Sequence, residues 1–424
     1  MKNLVILGAG TGGTTVARRL RRRLPAEWTV SVVDPEPLHL YQPGLLFLPF
    51  GARDEAKLQR PREKTLRGVR WIRQAVTRVD PDSKQVVLAG GERLGYDLLV
   101  VASGARTVPE ETAGMLGPEW GRSVHEFYTL EGALALRGAL AGFERGRLVV
   151  DVVEMPIKCP VAPLEFLFLA DAFFRRRGLR EQVDLVLATP LDGAFTRPTC
   201  NRVLGHLLES KGIRVETEFA TQEVDADARR LRSYDDRELA YDLLVAVPVH
   251  SGAAFVEASG LGNELAFVPT DPATLAVKGH DDIFAIGDAT DLPSSKAGSV
   301  AHFQAEVLQE NLLRAVRGRS LAPGFDGHAN CFIETGFGKA ILIDFNYETE
   351  PLPGRFPLPV LGPMRLLEES RLNHLGKLAF RWIYWNALLP GRPLPVTTRM
   401  SMLGKKRPAI GHDATEKGRE HAHP

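Results

Sequence analysis

Cys159 follows an apolar run in the second half of the chain, at a point where a dinucleotide-binding strand would lead into its phosphate loop. The segment 153–160 contains no glycine. A nucleotide pyrophosphate needs glycine there, because only a residue without a Cβ lets the backbone approach the phosphates. A thiol offers nucleophilic and redox chemistry in place of nucleotide binding. The sequence therefore predicts that this half has exchanged a nucleotide for a sulfur group.

The first half keeps the nucleotide loop. Gly8, Gly10 and Gly13 form a G-x-G-x-x-G motif after an apolar strand and before a helix, which is the context that pyrophosphate binding requires. Asp34 ends the next predicted strand 21 residues after the last glycine (34 − 13 = 21). A carboxylate at that point binds the ribose hydroxyls of an adenine dinucleotide. The first half is therefore predicted to bind a dinucleotide.

Two later segments favour FAD over NAD. Ala102-Ser103-Gly104 follows the predicted strand 98–101, and Gly287-Asp288 ends another apolar run. The second segment resembles the second FAD motif of flavoproteins with two dinucleotide-binding domains, in which the acid holds the ribityl chain. Lys296 lies eight residues further on and would place a cation near the flavin's pyrimidine ring. Such a cation stabilises an anionic reduced flavin.

The two halves form an internal repeat. The pentad YDLLV recurs at Tyr96 and Tyr241 (241 − 96 = 145), and the opening strands recur at nearly the same offset (149 − 5 = 144). Continuous apolar runs are typical of buried parallel strands. The predicted fold is α/β, with two tandem Rossmann-like domains of the FAD/NAD(P) type and a C-terminal α+β region. The predicted boundaries are 1–110 with 270–325 for the FAD-binding domain, 111–269 for the second, degenerate domain, 326–404 for the C-terminal region and 405–424 for a disordered tail.

Composition excludes several classes of protein. The chain has 424 residues, of which 44% are hydrophobic and 25% charged, and a net charge of +1; this is ordinary for a globular protein and gives no basic field for nucleic acid. Three cysteines exclude a disulfide-built scaffold and suit a reducing compartment. We see no signal peptide and no run of ~18 apolar residues that would span a bilayer. No metal site is expected, and Cys200 is interpreted as a small buried hydrophobe.

The chain resembles the sulfide:quinone oxidoreductase family of flavoproteins over residues 1–400. The resemblance rests on the flavin motifs, on Cys159 with Glu165 six residues later, and on Cys331 within 330–334. The flavin motifs belong to a wider superfamily, whereas the two cysteines are specific. The resemblance implies FAD, a redox-active pair of Cys159 and Cys331 beside it, and a membrane quinone as acceptor.

The chain departs from many members in one respect, because Tyr128 stands where they have a third cysteine. This argues against a thioether bond to the flavin, so non-covalent FAD is predicted. The implied catalytic residues are Cys159, Cys331 and Glu165. The residues implied to bind the cofactor are Gly8, Gly10, Gly13, Asp34, Gln42, Val76, Ala102, Ser103, Gly104, Arg106, Gly287, Asp288 and Lys296.

The implied reaction oxidises sulfide to polysulfide or sulfur. Hydrosulfide attacks a bridged cysteine pair, leaving a persulfide on Cys331 and a thiolate on Cys159 that reduces the flavin. A thiolate at neutral pH predicts a lowered cysteine pKa, with Lys158 and helix-terminal amides as causes. Glu165 lies in an apolar stretch, so a raised pKa and a role as proton carrier are predicted.

The C-terminal region is predicted to be a membrane interface. A helix is expected from Met364 to about Leu389, with an apolar face that includes Leu372, Leu375 and Trp382 and with aromatic residues around Arg381. Tryptophan and tyrosine beside arginine suit a bilayer surface. We predict a peripheral protein of the cell membrane, on a face that the sequence leaves open. A helix packed on the rest of the protein or on a partner subunit is the alternative, and a homo-oligomer would multiply the membrane anchors.

Other functions remain open on the sequence alone. A type II NADH:quinone oxidoreductase shares the predicted fold and acceptor, but the missing second phosphate loop argues against it. A flavin subunit that reduces a haem protein would not need the aromatic C-terminal helix. A non-catalytic flavin sensor, in which Cys159 and Cys331 switch a partner surface, belongs to a different class.

Overall fold

A computed structural model describes residues 1–51, 54–359, 361–394 and 397–406. Its first sheet is parallel and buried, because each strand is a nearly continuous apolar run. Leu4 to Leu7, for example, are fully shielded from solvent. Across this sheet the strands follow the order Ile283–Ala285, Leu98–Val101, Lys2–Leu7, Trp28–Val33 and Arg70–Ile72.

The second sheet repeats this arrangement. Its parallel strands follow the order Val124–His125, Leu243–Val247, Gly146–Val152, Val183–Ala188 and Ile213–Glu216. Each of the two sheets is accompanied by a three-stranded antiparallel meander, and the two meanders begin 145 residues apart (221 − 76 = 145). The predicted duplication is therefore visible strand by strand. The meanders are Val76–Asp80, Gln85–Leu88 and Arg93–Gly95 in the first half, and Thr221–Asp225, Arg230–Ser233 and Glu238–Ala240 in the second.

The C-terminal sheet covers the space between the two halves. Its strand order is Ala329–Gly336, Lys339–Phe345, Met364–Leu366 and Gly354–Phe356, with the first pair antiparallel. The helix Arg371–Ile383 packs on this sheet and continues as one π-helical turn, Tyr384–Leu388. The predicted helix from Met364 was therefore too long, because its first residues pair with strands.

The remaining helices connect the strands or follow them. The helix that the sequence places next to the glycine motif runs from Thr11 to Leu20. The proposed tail 405–424 lies outside the described residues from position 407 onward. The other α-helices are Arg62–Thr65, Leu130–Gly142, Ala162–Arg176, Pro198–Ser210, Ala254–Ala258 and Gly298–Val316; short 3-10 turns are Gln42–Phe47, Glu55–Leu58, Pro109–Glu111, Arg180–Gln182 and Gly287–Ala289; and short strand pairs are Leu38–Leu40 with Gln59–Pro61 and Arg106–Thr107 with His250–Ser251.

Candidate active site

A large cavity lies where the carboxyl ends of both parallel sheets meet the C-terminal sheet. Its open space, including the mouth, is about 1710 Å³. It is lined by loops that follow strands of the first and second sheets, by residues 330–332 within the first strand of the C-terminal sheet and by the helix Arg371–Ile383, so all three parts of the chain contribute. Predicted residues on its wall are Gly10, Gln42, Ala102, Ser103, Gly104, Cys159, Glu165, Gly287, Asp288, Lys296 and Cys331.

The glycine loop has the conformation that a phosphate site needs. Gly8 has a φ of +98°, and a Cβ there would lie 2.5 Å from the carbonyl oxygen of Ala102. A Cβ on Gly13 would lie 2.0 Å from the carbonyl oxygen of Gly8. Gly10 has nothing within 4 Å of its Cβ position and borders the cavity at the start of the helix Thr11–Leu20. Free N–H groups at a helix start, next to open space, fit a pyrophosphate.

Asp34 lies at the end of its strand, as predicted, but is already bonded within the protein. Its carboxylate accepts from the N–H of Ala9 at 2.6 Å and lies 3.3 Å from the Arg62 guanidinium. Arg62 is buried and also donates to the carbonyl of Ala9. The carboxylate and the guanidinium therefore fix the glycine loop through hydrogen bonds to the backbone of Ala9. Sequence reasoning missed Arg62, which lies in a four-residue helix without a recognisable motif.

The second flavin segment also lies on the cavity. Asp288 is half-buried on its wall, and the hydroxyl of Ser103 is buried with no hydrogen-bond partner among the described residues. Such an unpaired group fits a polar ligand in the cavity. The ammonium of Lys296 donates to the carbonyls of Asp288 and Thr290 at 3.0 and 2.7 Å, so it holds this turn in place. Burial lowers the pKa of Lys296 to about 8.

Gly8, Gly13 and Asp34 do not line the cavity themselves but form or contact the loop that does, whereas two other predicted cofactor residues lie away from both the wall and this loop. Val76 opens the first meander, where it packs on a separate core cluster. Arg106 is exposed and forms an ion pair with Glu110 at 3.4 Å. Neither residue lines the cavity. No sequence motif around either residue had pointed to a role in cofactor binding. Gln42, in contrast, begins a 3-10 turn on the cavity wall.

Cys159 is held against the flavin segment by the backbone. Its N–H donates to the carbonyl of Lys296 at 2.8 Å, and Lys158 and Lys296 form a parallel bridge. Its φ of +52° is rare for a residue with a side chain. Strain of this kind persists only where the surroundings fix the backbone. The loop that replaces the second glycine motif thus directs a thiol into the cavity beside Gly287-Asp288.

Cys331 reaches the same cavity from the first strand of the C-terminal sheet. Both cysteines are free thiols, and each residue is half-buried. Cys200, in contrast, is fully buried in a core helix, as predicted. The structure therefore brings Cys159 and Cys331, 172 residues apart (331 − 159 = 172), to one wall.

The predicted lowering of the thiol pKa is wrong for this arrangement. Burial raises the pKa of Cys331 to about 12, and the Glu165 carboxylate acts in the same direction. Burial also raises the pKa of Cys159 well above its usual range, with Glu165 and Cys331 adding to it. The opposing cation is Lys377 rather than Lys158. Both reduced thiols are therefore protonated at neutral pH unless positive charge is added nearby.

Glu165 belongs to a buried charge cluster. Its carboxylate accepts from the N–H of Glu334 at 2.7 Å and from the Lys377 ammonium, which also donates to the carbonyl of Phe332 at 2.8 Å. Glu334 in turn accepts from His374 at 2.9 Å. Burial raises the pKa of Glu165 even though Lys377 opposes it, which confirms the predicted direction.

Lys377 and His374 were missed in the sequence. They stand three residues apart, on the side of the helix Arg371–Ile383 that packs on the sheet. The sequence had directed attention to the opposite side of this helix, with its apolar face and aromatic residues. A polar pair on the second face was the available signal. Lys377, together with Phe380, makes the C-terminal helix part of the cavity wall.

Tyr128, in place of a third cysteine, also lines the cavity. Its hydroxyl is buried with no hydrogen-bond partner among the described residues, and the ring of His250 packs edge-on at 4.9 Å. The Lys158 ammonium lies 5.6 Å from its ring centre. The side chain therefore contributes a bulky aromatic surface where a thiol would have been reactive.

The C-terminal helix exposes a row of apolar side chains. Leu372, Leu375, Leu378 and Trp382 are exposed, with Trp382 at 68%, whereas the neighbouring Trp385 is buried. Such a contiguous apolar face marks an interaction surface. No helix within the described ranges has the length and apolar character needed to cross a bilayer.

The second sheet offers little room for a nicotinamide dinucleotide. Beyond Val152 the described residues enclose an apolar cavity of about 300 Å³, far smaller than the cavity of the first half. Its wall carries Met155, Ile157 and Pro160 from the segment without glycine. The lost loop is therefore filled by side chains.

Fold and site together define a class. The chain has a flavin-binding α/β fold with two dinucleotide-type sheets, and residues 2–150 match the family model described as pyridine nucleotide-disulphide oxidoreductase. Mitochondrial sulfide:quinone oxidoreductases from Mus musculus and Dictyostelium discoideum are 26% and 27% identical over 395 and 397 residues, which cover 92% of this chain and 86% of each relative. The structure of the sulfide:quinone oxidoreductase from the hyperthermophilic bacterium Aquifex aeolicus superimposes with a TM-score of 0.76 at 20% identity and covers 92% of both chains. The chain is thus a homologue of the sulfide:quinone oxidoreductases, as the sequence resemblance predicted.

Proposed function

We propose that this protein is an FAD-dependent enzyme that oxidises sulfide to polysulfide or sulfur and passes the electrons to a membrane quinone. The observation that carries the proposal is the convergence of Cys159 and Cys331 on the cavity that the glycine loop of the first half also borders. The homologues named sulfide:quinone oxidoreductase support the same reaction. Residues 1–110 with 270–325 would form the FAD domain, and 111–269 and 326–404 would each supply one thiol.

The residues around the cavity fit FAD held without a covalent bond. Gly8, Gly10 and Gly13 leave room for the pyrophosphate, and Asp288 and Ser103 offer polar contacts further along the cavity. Tyr128 cannot form a thioether. When bound, FAD would accept two electrons, and quinone could then reoxidise it.

The sulfur chemistry starts from an oxidised cysteine pair. Hydrosulfide attacks Cys331 of a Cys159–Cys331 bridge, so one S–S bond forms, the bridging S–S bond breaks, and Cys159 leaves as a thiolate. Thiolate formation is costly in so buried a place. The Lys377 ammonium acts to lower the pKa of Cys159 and would stabilise this charge. The Cys159 thiolate would then join the outer sulfur of the Cys331 persulfide as FAD, when bound, accepts two electrons, and the proton of that persulfide would go to Glu165.

Protons have a path away from the thiols. Glu165 lies on the cavity wall with a raised pKa, and Lys377 connects it to the carbonyl of Phe332. A carboxyl whose pKa is raised by burial accepts a proton more readily than an ordinary glutamate. Glu165 would therefore take the proton of the sulfur species and pass it to the reduced quinone.

We also propose that the C-terminal helix binds a membrane surface. Each large side chain buried in a lipid interface yields about 1.5–3 kcal/mol before the cost of immobilisation. Leu372, Leu375 and Trp382 together then suffice for weak, reversible attachment. The protein would be peripheral, and a homo-oligomer would bind more tightly.

The test of the proposed function is anaerobic reduction of the bound flavin by sulfide. Cys159→Ser and Cys331→Ser should each lower the reduction rate at least a thousandfold, whereas Cys200→Ala serves as a matched control because it removes the third thiol, which lies outside the cavity. NADH should reduce the flavin poorly in every variant. Near-normal sulfide rates in both serine variants would refute the thiol mechanism.

A further inference from the structure

The C-terminal segment touches the phosphate loop directly. Tyr384, in the π-helical turn that follows the exposed apolar helix, has its hydroxyl 2.8 Å from the hydroxyl of Thr11 and 2.7 Å from Nε2 of His39. Thr11 is the first residue of the helix that follows the glycine motif. Thr11 and Tyr384 both line the large cavity. A residue 373 positions away is therefore bonded to the start of the phosphate-binding helix.

The direction of these hydrogen bonds follows from their acceptors. Nδ1 of His39 lies 3.1 Å from the carbonyl of Ala9, which can only accept, so Nδ1 carries the proton. Burial, with the Arg62 guanidinium next, lowers the pKa of His39 to about 3, so the ring is neutral. Its Nε2 must then accept from Tyr384, whose oxygen accepts from Thr11. Thr11 thus donates its hydroxyl proton to the oxygen of Tyr384.

The aromatic surroundings keep this chain of hydrogen bonds in one place. The ring of Tyr384 packs against Tyr41 and Trp385, with centres 4.8 and 5.2 Å apart. Trp385 also packs on His39 at 5.6 Å and receives the Arg60 guanidinium at 4.4 Å. Tyr41, His39 and Arg60 belong to the first half, whereas Tyr384 and Trp385 belong to the C-terminal turn. The turn is thereby fixed to the dinucleotide-binding half rather than to its own sheet.

We propose that Tyr384 is a positioning residue for the FAD phosphate loop, through which seating of the C-terminal helix and retention of FAD are coupled. The inference rests on the proposed binding of FAD to this cavity. Tyr384 holds Thr11 and, through His39, the carbonyl of Ala9, so the docked turn adds to the contacts by which Asp34 and Arg62 fix the loop. By linkage, bound FAD stabilises the docked turn as much as the docked turn favours FAD.

The first test measures FAD affinity of the apoprotein by quenching of flavin fluorescence. Tyr384→Phe keeps the packed ring and removes only the hydroxyl, which leaves the buried His39 nitrogen and the half-buried Thr11 hydroxyl without this partner; the dissociation constant should rise about tenfold. Tyr96→Phe is the matched control, because Tyr96 is also buried in the first half, away from the cavity, and its hydroxyl has no hydrogen-bond partner among the described residues. Equal affinity in wild type and Tyr384→Phe would overturn the inference. A wild type that does not bind FAD would instead overturn the proposed function.

The second test follows amide hydrogen exchange of residues 384–389. In the wild type and in Tyr96→Phe, FAD should slow exchange in this segment about tenfold, and in Tyr384→Phe it should have little effect, because the link to Thr11 is lost. A full effect of FAD in Tyr384→Phe would show that packing alone couples the two regions. That result would also overturn the role of the hydroxyl.

Discussion

Replacing Lys377 by methionine would isolate one carboxylate inside the protein. The side chains of Lys377 and Glu165 retain only 13% and 2% of their exposed surface, which places the pair among buried ion pairs rather than surface ones. Surface pairs contribute about 0–1 kcal/mol, whereas removing one partner of a buried pair costs about 3–5 kcal/mol. Lys377→Met is therefore expected to lower the free energy of unfolding by about 3–5 kcal/mol at pH 8.

The pH dependence of this loss has a defined sign. Lys377 lowers the pKa of Glu165 against the effect of burial, so its removal raises that pKa further above the unfolded value of about 4.3. A carboxyl with a raised pKa in the folded state binds more protons when folded, and stability falls as the pH rises between the two values. The deficit of Lys377→Met should thus be small at pH 5 and large at pH 8.

Urea unfolding monitored by tryptophan fluorescence at both pH values gives the comparison. The double variant Glu165→Gln with Lys377→Met is the matched control, since glutamine can still accept from the Glu334 N–H without a charge. It should recover most of the loss at pH 8. Equal deficits at both pH values, or a double variant as unstable as Lys377→Met, would refute the reasoning.

Three further results are expected. Gly8→Ala should abolish FAD binding measured by fluorescence, since its Cβ would lie 2.5 Å from the carbonyl oxygen of Ala102 at a φ of +98°; binding within a factor of three of wild type would contradict this. Leu375→Ser with Trp382→Ser should reduce sedimentation with lipid vesicles at least tenfold, whereas the exposed Tyr234→Ser should not; unchanged sedimentation of the double variant would disprove a membrane role for the helix. In the reduced protein, iodoacetamide should label Cys331 far more slowly than free cysteine at pH 8, and labelling should accelerate as the pH rises toward 12, because burial raises the pKa of this thiol to about 12. Peptide mass spectrometry measures the labelling, and a rate equal to that of free cysteine would show an ionised thiol.

The sequence predicted those parts of the protein that depend on local patterns. The repeat appeared in YDLLV and in the apolar strands, and the structure shows it with the same spacing. The glycine loop, and the segment around Cys159 that replaces it in the second half, carry short signals of their own, whereas Cys331 was indicated by the family resemblance. Each of these features depends on residues within one strand or one connection.

Long-range contacts account for what the sequence did not predict. Lys377 reaches Glu165 across 212 positions, and no spacing rule relates a lysine on one helix to a glutamate on another. The thiol pKa was predicted with the wrong sign because Lys158 is next to Cys159 in sequence, whereas burial and Glu165 decide the outcome in space. The strand Met364–Leu366 was taken for helix because its partners lie elsewhere in the sequence.

The second sheet keeps every strand of the repeat although its connection 153–160 no longer resembles the glycine loop. Its stability comes from the buried strands, so the ligand specificity of this half is separable from its scaffold. Within these eight residues, Cys159 stands where a glycine loop would bind a nucleotide. Grafting the loop Gly8–Gly13 into this connection would therefore be an experiment on recognition alone, with the underlying architecture left intact.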